Sequence, residues 1–111
     1  MNRALGMLGL CVRAGKVQSG EQACELALKH GQAQLLILDG AASKGTRKAF
    51  TNACAHNSIP IRLTDADALG AAIGKPGRRV AVITDGKLAQ KLADMLPCPE
   101  ENEQDAAIHN D

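Results

Sequence analysis

Ala33-Gln34-Leu35-Leu36-Ile37-Leu38 runs directly into Asp39-Gly40-Ala41-Ala42-Ser43. A short, nearly continuous apolar run closed by turn residues predicts a central strand covered on both faces. Ser43 is a good N-cap, so a helix is expected from there to about His56. On the N-terminal side, Asn2 is placed to cap a first helix over roughly 3–14, with Leu5, Met7, Leu8, Cys11 and Val12 as its apolar stripe and Gly15 just past its end. Lys16-Val17-Gln18-Ser19 reads as a short extended link. A second helix is predicted from Gly20 to about His30, burying Ala23, Cys24, Leu26, Ala27 and Leu28. Downstream, Ile59-Pro60-Ile61-Arg62-Leu63 reads as a strand that Pro60 confines to an edge or a strand start. Thr64-Asp65-Ala66-Asp67 opens a helix ending near Gly74, Val80-Ala81-Val82-Ile83 is another buried strand, and Asp85 caps a last helix through about Leu96. Strands separated by helices require crossovers, with helices on both sheet faces. The expected fold is an α/β, three-layer α/β/α sandwich around a roughly four-stranded mixed sheet.

The chain has 111 residues, the size of one domain. It has no Trp or Tyr and a single Phe, Phe50, so its core must be aliphatic. That composition excludes binding of single strands on an aromatic stacking platform. The formal net charge of +1 conceals an asymmetry. All 13 Lys and Arg lie between Arg3 and Lys91, against seven acids within residues 1–96, so that body carries +6. Residues 97–111 contain five acids and no Lys or Arg, a balance of −5. A domain over 1–96 followed by an acidic, disordered tail over 97–111 is therefore expected.

The four cysteines, Cys11, Cys24, Cys54 and Cys98, form no CxxC pair, and His30, His56 and His109 are equally scattered. Buried or incidental thiols in a reducing cytoplasm fit this better than a metal site. No signal-peptide pattern and no run of 18 apolar residues occurs, so a cytoplasmic protein without membrane association is expected. No nucleophile–base or paired-carboxylate spacing points to an enzyme, and nothing calls for a cofactor.

Three basic segments are candidate anion contacts. Gly40-Ala41-Ala42-Ser43-Lys44-Gly45-Thr46 has the glycine spacing of a phosphate-binding loop but lacks the lysine between Gly45 and Thr46. It reads better as a generic phosphate site of free N–H groups at a helix start, with Lys44, Arg47 and Lys48 nearby. Lys16 through Gln22 leads into the second helix, and Gly74-Lys75-Pro76-Gly77-Arg78-Arg79 joins the fourth helix to the last strand. Loops of this kind on one edge of a sandwich would form a joint surface for phosphates.

Several separated motifs, in order, carry a resemblance. They are Arg13-Ala14-Gly15-Lys16-Val17-Gln18-Ser19-Gly20-Glu21, then Ala27 through Leu38, then Cys54-Ala55-His56-Asn57-Ser58-Ile59-Pro60-Ile61, and Leu69-Gly70-Ala71-Ala72-Ile73-Gly74. Over about residues 3–96 the chain resembles the ribosomal L-seven-Ae / L-thirty-e-like superfamily, most nearly its small bacterial YlxQ-type members. The resemblance implies the same sandwich and a non-enzymatic, structured-RNA-binding role. The RNA would be a kink-turn, a sharply bent internal loop flanked by sheared G·A pairs, or ribosomal RNA, with possible partners in the ribosome or another protein. Family members meet the kink-turn with a Gly-x-Asn-Glu-x-x-Lys helix start and with the loop after Leu-Gly-x-x-x-Gly. Here Gly20 keeps the glycine and Gln22 stands where Asn is expected, but Ala23 replaces the Glu and Leu26 the Lys. Glu21 lies beside the lost carboxylate position. The resulting contact set is Lys16, Ser19, Gly20, Glu21, Gln22, Lys44, Arg47, Lys48, Gly74, Lys75, Gly77 and Arg78. It implies largely electrostatic affinity with altered kink-turn specificity. A protein-interaction module that keeps the fold without reading RNA is the alternative.

Overall fold

A computed structural model describes residues 2–99. Five helices and four strands alternate: α1 (Asn2–Arg13), β1 (Val17–Ser19), α2 (Glu21–Lys29), β2 (Leu35–Leu38), α3 (Lys44–Asn57), β3 (Ile61–Leu63), α4 (Ala68–Ile73), β4 (Val80–Ile83) and α5 (Gly86–Met95). The sheet order is β1-β4-β2-β3, and β4 runs antiparallel to both of its neighbours while β2 and β3 are parallel. The expected mixed, four-stranded α/β/α sandwich is what forms. Pro60 immediately precedes β3, an edge strand, where its missing N–H interrupts no central ladder.

The two central strands are buried on both faces, and their alternation divides the core. Leu35, Ile37, Ala81 and Ile83 pack with Ala4, Leu8 and Cys11 of α1, Leu69 and Ile73 of α4, and Ala89 and Leu92 of α5. Leu36, Leu38, Val80 and Val82 pack with Cys24, Ala27 and Leu28 of α2 and with Phe50 and Cys54 of α3. Burying each large aliphatic side chain contributes about 1.5–3 kcal/mol. Phe50 is buried in the second layer, so no Phe, Tyr or Trp ring among the described residues is offered to a ligand.

The extended link Val17–Ser19 supplies the fourth strand of the expected sheet, paired with Ala81–Ile83. The caps expected at Ser43 and Asp85 form, Ser43 Oγ accepting the Thr46 N–H at 3.1 Å and the Asp85 carboxylate the Leu88 N–H at 3.0 Å, whereas Asn2 is the first residue of α1 itself. Two further expectations need correction. Val12 and Leu26 are exposed, because the packed stripes of α1 and α2 are narrower than their apolar sequences allow. The first residues of the expected tail belong to the domain: the Pro97 carbonyl accepts the Leu63 N–H at 2.9 Å, and Pro99 is fully buried. An edge strand has unpaired backbone groups to satisfy, and Pro97 satisfies one of them. The remaining acidic residues, 100–111, lie outside the described residues.

Candidate nucleic-acid interface

One end of the sheet gathers the starts of α2 and α3 and the loop between α4 and β4. The Gly20 N–H donates to the Val80 carbonyl at 2.9 Å, fixing the head of α2 beside the first residue of β4. Gly20 has φ +96° and ψ 153°, a region essentially reserved for glycine. The Arg78 guanidinium lies directly against it, where a Cβ would collide with Nη1. Glu21, the next residue, accepts a hydrogen bond from the Thr46 hydroxyl at 3.1 Å, and the Ser43 hydroxyl donates to Thr46 Oγ1 at 3.1 Å. These contacts couple the heads of α2 and α3 across 25 residues of sequence. Arg47 reaches back to the Gly40 carbonyl at 3.1 Å, while Lys44 and Lys48 stand exposed on the same first turns of α3.

The structure therefore brings Gly20, Glu21, Arg78 and the first turn of α3 together, with the exposed Gln22 one residue along α2. Ser19 ends β1 opposite Ala81 and leads into this cluster. Gly74 closes α4 in a left-handed conformation, and Lys75 and Gly77 are exposed in the loop that follows. Lys16 is elsewhere. Its carbonyl accepts the Thr84 N–H at 2.9 Å, at the far end of β1. Four residues of extended chain separate it from Gly20, roughly 13 Å at the rise of a strand. Three N–H groups of the expected phosphate cradle after β2 are taken from within. The Ala41 N–H is taken by the Asp39 side chain, the Ala42 N–H by the Asp39 carbonyl and the Thr46 N–H by Ser43.

Sequence reasoning missed Asp39. Its side chain is completely buried at the end of β2. Oδ1 accepts the Leu69 N–H at 3.0 Å and the Thr64 hydroxyl at 3.2 Å. Oδ2 accepts the N–H groups of Ala41 and Asp67, both at 2.8 Å, and Arg79 Nη1 at 3.2 Å. Burial by itself pushes this carboxyl's pKa up. The N–H donors of Asp67, Ala41 and Leu69 and the Thr64 hydroxyl outweigh it and hold the pKa below its ordinary value. The same Arg79 nitrogen reaches the exposed Asp67 carboxylate at 2.8 Å. The one available signal was an acid contiguous with a fully buried strand. Thr46, which orients Glu21, was likewise not singled out.

Cys24 and Cys54 are buried in the α2/α3 layer, and burial pushes both thiols up to about 12. Among the described residues no helix is long and apolar enough to cross a membrane.

An aliphatic α/β/α sandwich with cationic loops gathered at a glycine-led helix start defines a class of small domain. The chain belongs to the Ribosomal protein L7Ae/L30e/S12e/Gadd45 family, whose profile matches residues 3–93. Among individual proteins it is similar to RNA-binding protein YlxQ of Bacillus subtilis (strain 168), with 37% identity over 91 residues, 81% of this chain and 91% of that one. RNA-binding protein YlxQ of Enterococcus faecium is 27% identical over 95 residues, 85% and 91% of the two chains. The solved structure of a protein with unknown function from Bacillus halodurans C superposes with a TM-score of 0.80 at 34% identity, over 83% of this chain and 94% of that one. The Giardia lamblia 15.5kD RNA binding protein shares the fold, with a TM-score of 0.68 at 19% identity over 83% and 82% of the two chains.

Proposed function

We propose that this chain is a non-enzymatic, cytoplasmic protein that binds structured RNA, of kink-turn type or in the ribosome, through the surface formed by the heads of α2 and α3 and the Lys75–Arg78 loop. The observation that carries this reading is the seating of Arg78 on Gly20 beside the Glu21–Thr46 bond. It joins two cation-bearing segments, the head of α3 and the Lys75–Arg78 loop, to a glycine-led helix start in one surface. The relatives named as RNA-binding proteins support the same reading. With the helix-start Glu and Lys of the family motif replaced by Ala23 and Leu26, phosphate contacts supply most of the affinity. The buried Phe50 favours folded RNA over extended strands, because no Phe, Tyr or Trp ring is on offer for stacking.

A titration of the full chain against a kink-turn hairpin and a scrambled duplex, at low and at near-physiological salt, tests this. Binding of both at low salt is expected, with a preference for the kink-turn and a steep loss of affinity as salt rises. Absence of binding to either RNA at low salt overturns it. A second reading, a protein-interaction module, draws on Leu26, which is 48% exposed on α2. Protein partners that survive nuclease treatment in a native pull-down, with no RNA bound, would favour it.

A further inference from the structure

We infer that Asp39, whose carboxylate is completely buried, is a positioning residue for the Lys75–Arg78 loop and decides which way Arg78 points. The inference rests on the RNA-binding reading for its functional consequence and on the geometry alone for its structural one. A buried carboxylate is costly unless its oxygens are fully engaged, and both oxygens of Asp39 are. The partners it gathers include the two ends of the segment that carries the loop, from Asp67 through α4 to Arg79. Asp67 and Leu69 present their N–H groups at the start of α4, and Arg79 presents its guanidinium at the entry to β4. The Asp39 N–H also donates to the Arg79 carbonyl at 2.8 Å, so backbone and side chain grip the same residue.

Between these ends the loop is seated on α4. A Cβ at Gly70 would stand 2.6 Å from the Lys75 carbonyl oxygen and 3.0 Å from the Gly77 nitrogen. Fixing α4 therefore fixes the loop's floor. The alternation of β4 does the rest. Ala81 and Ile83 face the layer of α1, α4 and α5, whereas Val80 and Val82 face the layer of α2 and α3. Arg79, in phase with Ala81, turns to Asp39 and Asp67 beside α4. Arg78, in phase with Val80, turns to the opposite side and lies on Gly20. Releasing the Arg79 side chain leaves only backbone bonds to hold this phase, and the seat of Arg78 loosens.

The test uses the full chain with Asp39→Asn, Arg79→Lys, Arg78→Ala and the Arg79→Lys/Arg78→Ala double variant. Arg79→Lys keeps the charge but shortens the reach of the single nitrogen, Nη1, that bridges both carboxylates. Amide hydrogen exchange in the free protein reads the loop, and a kink-turn hairpin titration reads its consequence. Exchange at Lys75 and Arg78, whose N–H groups bond the carbonyls of Gly70 and Lys75, is expected to quicken by about tenfold while α3 and α5 keep their protection. RNA affinity is expected to fall about fivefold with Arg79→Lys, and by less than about twofold when Arg78 is already alanine, because the two act as one unit. Unchanged loop exchange, or equal losses in the two backgrounds, overturns the inference. If Asp39→Asn does not fold, Arg79→Lys decides. If the wild-type chain binds no RNA, the RNA reading falls and the exchange measurement alone decides the positioning role.

Discussion

The guanidinium of Arg78 occupies the space above Gly20 that any side chain there would need. A loop near residue 78 and a helix start near residue 20 thereby depend on each other for shape. The glycine is what leaves room for the cation.

Gly20→Ala follows from that relationship. Alanine at φ +96° costs about 1–3 kcal/mol of stability, because that region is strained for any residue with a Cβ. The new methyl also displaces Arg78, so affinity for structured RNA should drop along with the melting temperature. Thermal melts and RNA titration of the same variant check both; an unchanged melting temperature would contradict the strain argument.

The Asp39 carboxyl has its pKa held below the ordinary 3.8 in the folded protein. Its contribution to stability is therefore complete above about pH 4 and is lost as pH falls through the lower folded value. The stability gap between wild type and Asp39→Asn should be flat from neutral pH down to about 4 and then shrink. Urea unfolding of both proteins across that range measures it. A gap that stays constant into strong acid would show that the carboxylate is not what the network stabilises.

Cysteine reactivity should be uneven. Cys11, Cys24 and Cys54 are buried, and burial raises the pKa of all three thiols. Only Cys98, half-buried near the end of the described chain, should alkylate at mildly alkaline pH without denaturant. Mass spectrometry after a brief iodoacetamide pulse should find a single adduct on the native protein and four after unfolding. More than one adduct on the native protein would show that one of the helical layers opens.

Residues 100–111 carry five acids against a strongly basic body. We propose that they compete with RNA for the cationic surface, as an attached polyanion held at high local concentration. Truncation after Pro99 retains the Pro97–Leu63 bond and the buried Pro99. It should tighten RNA binding at low salt, with the gain vanishing as screening increases. Equal affinities of the full and shortened chains at low salt would count against the competition.

The legible parts of the sequence were those governed by neighbours along the chain. Leu35–Leu38 and Val80–Ile83 announced central strands through unbroken apolar runs, Ser43 and Asp85 announced caps, and Pro60 announced an edge. The missed parts were governed by distant residues. Four of the five donors to the Asp39 carboxylate come from 25, 28, 30 and 40 positions away, so no local pattern could assemble them. Lys16 and Gly20 lie close in sequence, but the strand between them carries them to opposite ends of the sheet. Leu26 follows helical spacing, yet how much of a helix face is covered depends on what packs against it.

The Pro97 carbonyl on β3 has one further consequence. Pro60 and Pro97 flank that edge, and neither has an N–H to offer. A foreign strand approaching there meets a donor already taken at Leu63 and prolines that cannot complete a ladder. The sheet is thus closed to growth on its β3 side, which protects a chain with an aliphatic core from stacking into fibres through that edge.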